Sequence, residues 1–150
     1  MGNSLIIRNA TLADLVPLAE LFEGYRRFYE GAADLDGAQR FLRARLEGGD
    51  SVIFVAARDG RLVGFTQLYA SFSSLSMRRI WILNDLFVAP THRRAGVGGA
   101  LMARAEAFAR GAGAKRLALA TQRTNAQAQS LYQARGWKRD ETFDHYSLEF

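Results

Sequence analysis

One stretch limits the folds open to this chain more than any other. Leu83-Asn84-Asp85-Leu86-Phe87-Val88-Ala89-Pro90 runs into Thr91-His92-Arg93-Arg94-Ala95-Gly96-Val97-Gly98-Gly99-Ala100-Leu101-Met102. It reads as a buried strand, a tight glycine turn and the start of a helix. The first turn of a helix presents N–H groups that lack intrahelical acceptors, at the positive end of the helix dipole. Glycines let a ligand approach that backbone closely. The chemistry this favours is capture of a phosphate or pyrophosphate. Two phosphate motifs fail here. A P-loop closes on Gly-Lys-Ser/Thr, where this chain has Gly99-Ala100-Leu101. A dinucleotide fingerprint needs Gly or Ala at its third small position, where Leu101 stands. What remains is Arg93-x-x-Gly96-x-Gly98.

The charge distribution points to the same place. The chain carries a formal +5. From Met1 to Pro90 ten Arg balance ten Asp and Glu, whereas Thr91 to Arg139 holds ten Lys and Arg against Glu106 alone. The basic half begins at the glycine loop, so a polyanionic ligand is the simplest explanation. Nucleic acid is the rival, but the basic residues lack the aromatic interleaving of a single-strand binder. There is no cysteine, hence no disulfide, no thiol nucleophile and no cysteine metal site. No apolar run approaches the roughly 18 residues of a membrane span. The N-terminus lacks a signal peptide's basic and apolar regions. These features predict one cytoplasmic domain over residues 1–150, with neither nucleic acid nor membrane as partner.

In chain order, Leu5 to Arg8 reads as a strand. Thr11 or Asp14 caps a helix with Leu15, Leu18, Ala19 and Phe22 on its apolar face. Asp36 caps a second helix, which Gly48-Gly49 ends. Ser51 to Arg58 and Leu62 to Tyr69 form a hairpin about Asp59-Gly60. Ser71 to Ser74 is a loop or hairpin end, and Arg79 to Val88 is a central strand buried between layers. Ala100 to Arg110 is helical, ended by Gly111 and Gly113. Lys115 to Thr121 is a strand parallel to the central one. Asn125 caps the last helix and Gly136 closes it. Trp137 to Arg139 and Phe143 to Phe150 read as a final hairpin.

Two blocks carry a family resemblance. Arg93-x-x-Gly96-x-Gly98 resembles the acetyl-CoA pyrophosphate loop of the GNAT superfamily of N-acetyltransferases. Asn125-Ala126-Gln127-Ala128-Gln129-Ser130-Leu131-Tyr132-Gln133-Ala134-Arg135-Gly136-Trp137 is similar to that family's N-x-x-A-x-x-L-Y-x-x-x-G-F/W signature. The order β-α-α-β-β-β-α-β-α-β-β is also that of the GNAT fold. The resemblance implies an α/β (α+β) fold with a mixed central sheet of about seven strands, flanked by about four helices and splayed at the central strand. It implies acetyl transfer from acetyl-CoA, a co-substrate, to an amine, with no metal. Cofactor contacts would come from Leu86, Phe87 and Val88 toward the pantetheine arm. Others would come from Arg93, Arg94, Ala95, Gly96, Val97, Gly98 and Gly99 toward the pyrophosphate, and from Asn125 and Tyr132. A homodimer is implied as well.

By the same resemblance, Tyr132 lies near the departing sulfur as general acid. A phenol pKa of about 10 against about 8.5 for a thiol makes a hydrogen bond to the thiolate as plausible as full proton transfer. The amine must shed a proton first, because with a lysine-like pKa only roughly one molecule in 2,500 is neutral at pH 7. Asp85 is the nearest carboxylate in the chain. It accepts that proton, directly or through water, or it is a strand carboxylate paired with an arginine. Some polyamine-acetylating relatives carry Glu-Asp where this chain has Asn84-Asp85. Tyr25, Phe28, Tyr29 and Glu30 sit where the family builds its acceptor pocket, with Asn84 and Asp85 beside it. Aromatic faces and a carboxylate suit an ammonium. Asn84-Asp85-Leu86-Phe87-Val88, with the tail Phe143-Asp144-His145-Tyr146, resembles members acting on small primary amines: polyamines, lysine-like amino acids and analogues. Protein or peptide acetylation and a non-catalytic acyl-CoA-binding module are the alternatives.

Overall fold

The computed structural model describes residues 4–150. One compact unit ends at Leu119, and the other is Ala120–Phe150. In the first lie β1 (Leu5–Asn9), α1 (Leu15–Phe28), α2 (Leu35–Gly48), β2 (Ser51–Arg58), β3 (Arg61–Ser73), β4 (Arg78–Val88), α3 (Val97–Gly111) and β5 (Leu117–Ala118). The strands form one mixed sheet in the order β1-β2-β3-β4-β5. The first four pair antiparallel and β4 pairs parallel with β5. Short turns join β2 to β3 and β3 to β4, α1 and α2 lie between β1 and β2, and the parallel pair takes α3 as its crossover. At the β2–β3 turn Asp59 and Gly60 both take positive φ, 53° and 75°. This is the combination that matches a two-residue turn to strand twist.

The sheet divides the core into two layers. On one face α1 buries Leu15, Leu18, Ala19 and Phe22 against Ile53, Val55, Phe65 and Phe87, with Ala38 and Leu42 of α2 joining them. On the other face Leu101, Met102 and Ala105 of α3 are fully buried. There Phe108 meets Phe54 and Trp81 edge-on at 5.8 and 5.0 Å. Gly64 sets the α3 packing distance: a Cβ there would lie 3.0 Å from the Phe87 carbonyl and 3.1 Å from Val97.

Several boundaries differ from the sequence reading. Asp34, not Asp36, caps α2, its carboxylate accepting from the Gly37 N–H at 2.9 Å. A 3-10 turn from Leu12 precedes α1, and the Asp14 carboxylate turns back to the Thr11 N–H at 2.8 Å and to both Arg8 guanidinium nitrogens. Ser71 to Ser73 belong to β3, because Arg78 to Ile80 give them paired partners. The next turn is Ser74 to Met77. α3 begins at Val97 and runs through Gly111. The strand expected over Lys115 to Thr121 shrinks to two residues.

In the second unit α4 spans Ala126–Ala134, and the Asn125 side chain caps it by accepting from the Ala128 N–H at 3.2 Å. Gly136 (φ 87°) closes it, and the Trp137 N–H donates to the Tyr132 carbonyl at 3.0 Å. The final hairpin does not form among the described residues. Asp140 takes the backbone N–H groups of Thr142 and Phe143, at 2.9 and 3.3 Å, which diverts donors that a strand ladder would use. The sheet therefore has five strands among the described residues, not about seven.

Candidate active site

The site begins with a one-residue irregularity in β4. Gln67 pairs with Asp85, yet the next residue, Leu68, pairs with Leu83, so Asn84 is extra. A bulge of this kind shifts the alternation of side chains along its strand. Downstream of it, Asp85 and Phe87 share the α1 face with their partners Gln67 and Phe65. The Thr66 hydroxyl pins the bulged strand by donating to the Asp85 carbonyl at 2.8 Å. β4 also outruns its parallel neighbour. It pairs with β5 only at Trp81 and Ile82 and continues to Val88 beside β3 alone. Among the described residues no strand pairs with that edge of β4 beyond Ile82.

Asp85 is 3% exposed. Its Oδ2 accepts from the Gln67 amide at 2.8 Å and its Oδ1 from the Asn84 amide at 3.1 Å. No arginine or lysine pairs with it among the described residues, so the reading of an arginine-paired strand carboxylate is overturned. Burial pushes its pKa above the ordinary carboxylate range. The hydrogen bonds from Gln67 and Asn84, with the Tyr25 hydroxyl close by, oppose that shift without cancelling it. Tyrosines surround it. Burial, and then the Asp85 charge, push Tyr69 up to about 12 and raise Tyr25 and Tyr29 as well. The Tyr25 hydroxyl donates to the Asn84 carbonyl at 3.3 Å. A buried anion ringed by phenols and amides, with no cation among its partners, suits an incoming amine.

Of the acceptor residues read from sequence, Tyr25, Tyr29, Asn84 and Asp85 gather here. Phe28 and Glu30 do not. Phe28 stacks edge-on with Tyr29 at 5.1 Å but is half exposed, and with Phe87 it lines a separate groove of about 790 Å³ beside α1. Glu30 is exposed, at φ 62° in the turn after α1. A buried brace holds that turn. Glu23 accepts from the Asp34 N–H at 2.8 Å and from Arg26 at 2.6 Å, and Arg26 also donates to the Ala32 carbonyl at 2.7 Å. The Asp34 N–H and then Arg26 hold the Glu23 carboxyl below its usual range.

At the end of β4 the glycine turn has the backbone of an anion cradle. Arg94 and Gly96 both take positive φ, 63° and 80°. Gly96 is the α3 N-cap, so no side chain caps the helix, and a Cβ there would meet open space. The first intrahelical bond runs from Ala100 N–H to the Gly96 carbonyl at 3.0 Å, which leaves Val97, Gly98 and Gly99 without intrahelical acceptors. The cradle fits a diphosphate through backbone rather than side chains. Arg93 is turned away from it: its Nε donates to the Val88 carbonyl at 3.0 Å and its guanidinium lies 5.4 Å from the Phe87 ring centre. In the second unit the Tyr132 ring stands 6.3 Å from that of Trp137. Among the described residues no three His, Asp or Glu side chains group to hold a metal ion. No described helix is long and apolar enough to cross a membrane.

Sequence reasoning missed Gln67, Tyr69 and Ser51. The usable signal was Gln67 itself, a long polar side chain inside the apolar run Val63-Gly64-Phe65-Thr66-Gln67-Leu68. A mixed sheet whose central strand outruns its parallel partner and ends in an uncapped glycine turn defines an acyl-CoA-dependent transferase of the GNAT kind. Comparison with known proteins agrees. The pattern of the acetyltransferase (GNAT) family matches residues 18–137. The chain is 51% identical over 142 residues to the uncharacterized N-acetyltransferase YhfO of Bacillus subtilis (strain 168), covering 95% of each. It is 35% identical over 101 residues to an aminoglycoside N(6')-acetyltransferase type 1 of Klebsiella aerogenes, covering 65% of each. A crystal structure of a probable acetyltransferase superposes with a TM-score of 0.92 at 42% identity, covering 97% of each chain. The chain belongs to the acetyltransferase (GNAT) family and is an N-acetyltransferase that uses acetyl-CoA as co-substrate.

Proposed function

We propose that the enzyme acetylates a primary amine of a small molecule, a polyamine, a lysine-like amino acid or an analogue, by direct attack within a ternary complex. One observation carries this reading: Asp85 is a buried carboxylate with neutral partners only, under a tyrosine lining. Asp85 takes the proton that the amine must lose. Tyr25, Tyr29 and Asn84 shape the pocket around it. The N–H groups from Arg94 to Gly99 hold the diphosphate of the co-substrate, and the exposed edge of Leu86 to Val88 meets its pantetheine arm. Asn125 and Tyr132 enter through the family signature, with Tyr132 stabilising the departing thiolate. Arg93 acts through the end of β4, given its bond to Val88. Phe28 and Glu30 lie at the margin of the acceptor site. The family match crosses from Leu119 to Ala120, which supports reading residues 1–150 as one acetyltransferase domain. A homodimer and a cytoplasmic setting belong to the same proposal.

The relative acting on aminoglycosides favours a second reading, in which the small amine is an amino sugar. An acceptor panel separates the two. Thiol release is measured with polyamines, free amino acids, aminoglycosides and peptide N-termini. Polyamines or lysine-like amino acids are expected to turn over fastest. Fastest release with an aminoglycoside establishes the second reading, and release with peptides alone overturns both.

The diphosphate cradle has its own test. Gly98→Val places a side chain against the uncapped N–H groups. Acetyl-CoA affinity, read by calorimetry, is expected to fall about tenfold to a hundredfold, the equivalent of one charge-assisted hydrogen bond. Unchanged affinity removes this turn from the binding site.

A further inference from the structure

Gln67 is a fully buried amide where an apolar side chain would pack with less penalty. Both of its ends are taken. Nε2 donates to Asp85 Oδ2 at 2.8 Å, and Oε1 accepts from the Ser51 hydroxyl at 2.9 Å. Flipping the amide would bring Oε1 against the carboxylate, acceptor on acceptor. The carboxylate, which can only accept, sets which way the amide points, and the Ser51 hydroxyl holds its far end in place. We propose that Gln67, locked by Ser51, is the positioning residue of the acceptor site and holds the Asp85 carboxylate oriented for proton transfer. The inference rests on the reading of Asp85 as the base.

The surroundings of Asp85 say why an amide stands there. The titratable groups facing it are Tyr25 from α1, Tyr29 just past its end and Tyr69 from β3, all neutral phenols near pH 7. Beyond Tyr69 lie Arg45 of α2 and Asp50 before β2, and these pair with each other at 2.8 Å. Among the described residues no cation pairs with the charge, so the neutral donors Gln67 and Asn84 support it. A guanidinium in place of Gln67 would hold the carboxylate ionised more firmly and make it a weaker base. An amide supports the charge while leaving it able to take a proton.

Gln67→Leu keeps the approximate volume and deletes the donor. Ser51→Ala frees the amide to rotate, and Ser51→Thr keeps the hydroxyl. Two readouts are followed: the Asp85 carboxyl midpoint by carbon NMR titration, and the acid limb of kcat/KM with the fastest amine of the acceptor panel. Gln67→Leu is expected to move both toward alkaline pH by about one unit. Ser51→Ala moves them the same way by less, Ser51→Thr leaves them in place, and acetyl-CoA affinity stays constant throughout. A folded Gln67→Leu variant with midpoint and acid limb at their original values overturns the proposal while leaving the base assignment standing. A midpoint that moves under a fixed acid limb overturns the base assignment, and with it any part for Gln67 in the reaction. If Gln67→Leu does not fold, Ser51→Ala decides alone, and an unmoved acid limb in it overturns the proposal.

Discussion

Asp85→Asn is expected to cut turnover by about 10²- to 10⁴-fold at neutral pH, the usual worth of a positioned general base. The same change should leave the fold more stable at pH 7. Burial raises the Asp85 pKa, so the folded state holds this proton more tightly than the unfolded chain does. The charge therefore costs stability as pH climbs from the ordinary carboxylate value through the raised one, and the cost persists above it. Below the ordinary value both states are protonated and the cost is absent. Asn carries no charge at any pH. The melting temperature of Asp85→Asn should exceed that of the parent at pH 7, and the gap should close toward pH 3. Asn84 is exposed and can flip its amide to offer Oδ1 to the new side-chain N–H, so the exchange of an oxygen for a nitrogen keeps a partner there. Thiol-release kinetics and melts from pH 3 to 8 check both halves. Unimpaired turnover would remove Asp85 as the base. A melting gap independent of pH would place its cost elsewhere.

Phe65→Ala should give the largest loss of stability. Phe65 is fully buried in mid-sheet, opposite Phe87, with Phe22 6.0 Å and Tyr25 6.1 Å away between ring centres. Removing a buried phenyl group leaves a cavity and costs about 3–5 kcal/mol. At this chain length that lowers the melting temperature by roughly 10 °C. Tyr25 also loses the ring behind it, so the acceptor KM should rise by more than that for acetyl-CoA. A melting shift of only a degree or two would mean that the neighbouring rings collapse into the space.

Much of the α1 layer was readable because its signals are local. Leu15, Leu18, Ala19 and Phe22 recur at helical spacing and are all buried. Asp59-Gly60 specified its hairpin, and the turn at Gly96 appeared where the glycines and strand end placed it. What escaped depends on partners distant in sequence. The extra residue at Asn84 shows only in how β4 registers against β3. Gln67 matters because of Asp85, eighteen positions away. Asp34 and Asp36 are equivalent as capping residues, and the buried Glu23 selects the first by taking its N–H. At the C-terminus the alternation of Phe143 to Phe150 suggested strand, but Asp140 offered the backbone a nearer acceptor.

The bulge in β4 has a wider consequence. Upstream of Asn84 the strand's parity is set by one helical layer, downstream by the other. The buried carboxylate of Asp85 is therefore placed by strand register as much as by residue kind. A homologue with the same residues but no bulge would pair Asn84 with Gln67 and Asp85 with Thr66, carrying its carboxylate into the opposite layer, and a search for shared chemistry among such chains should compare strand register before residue identity.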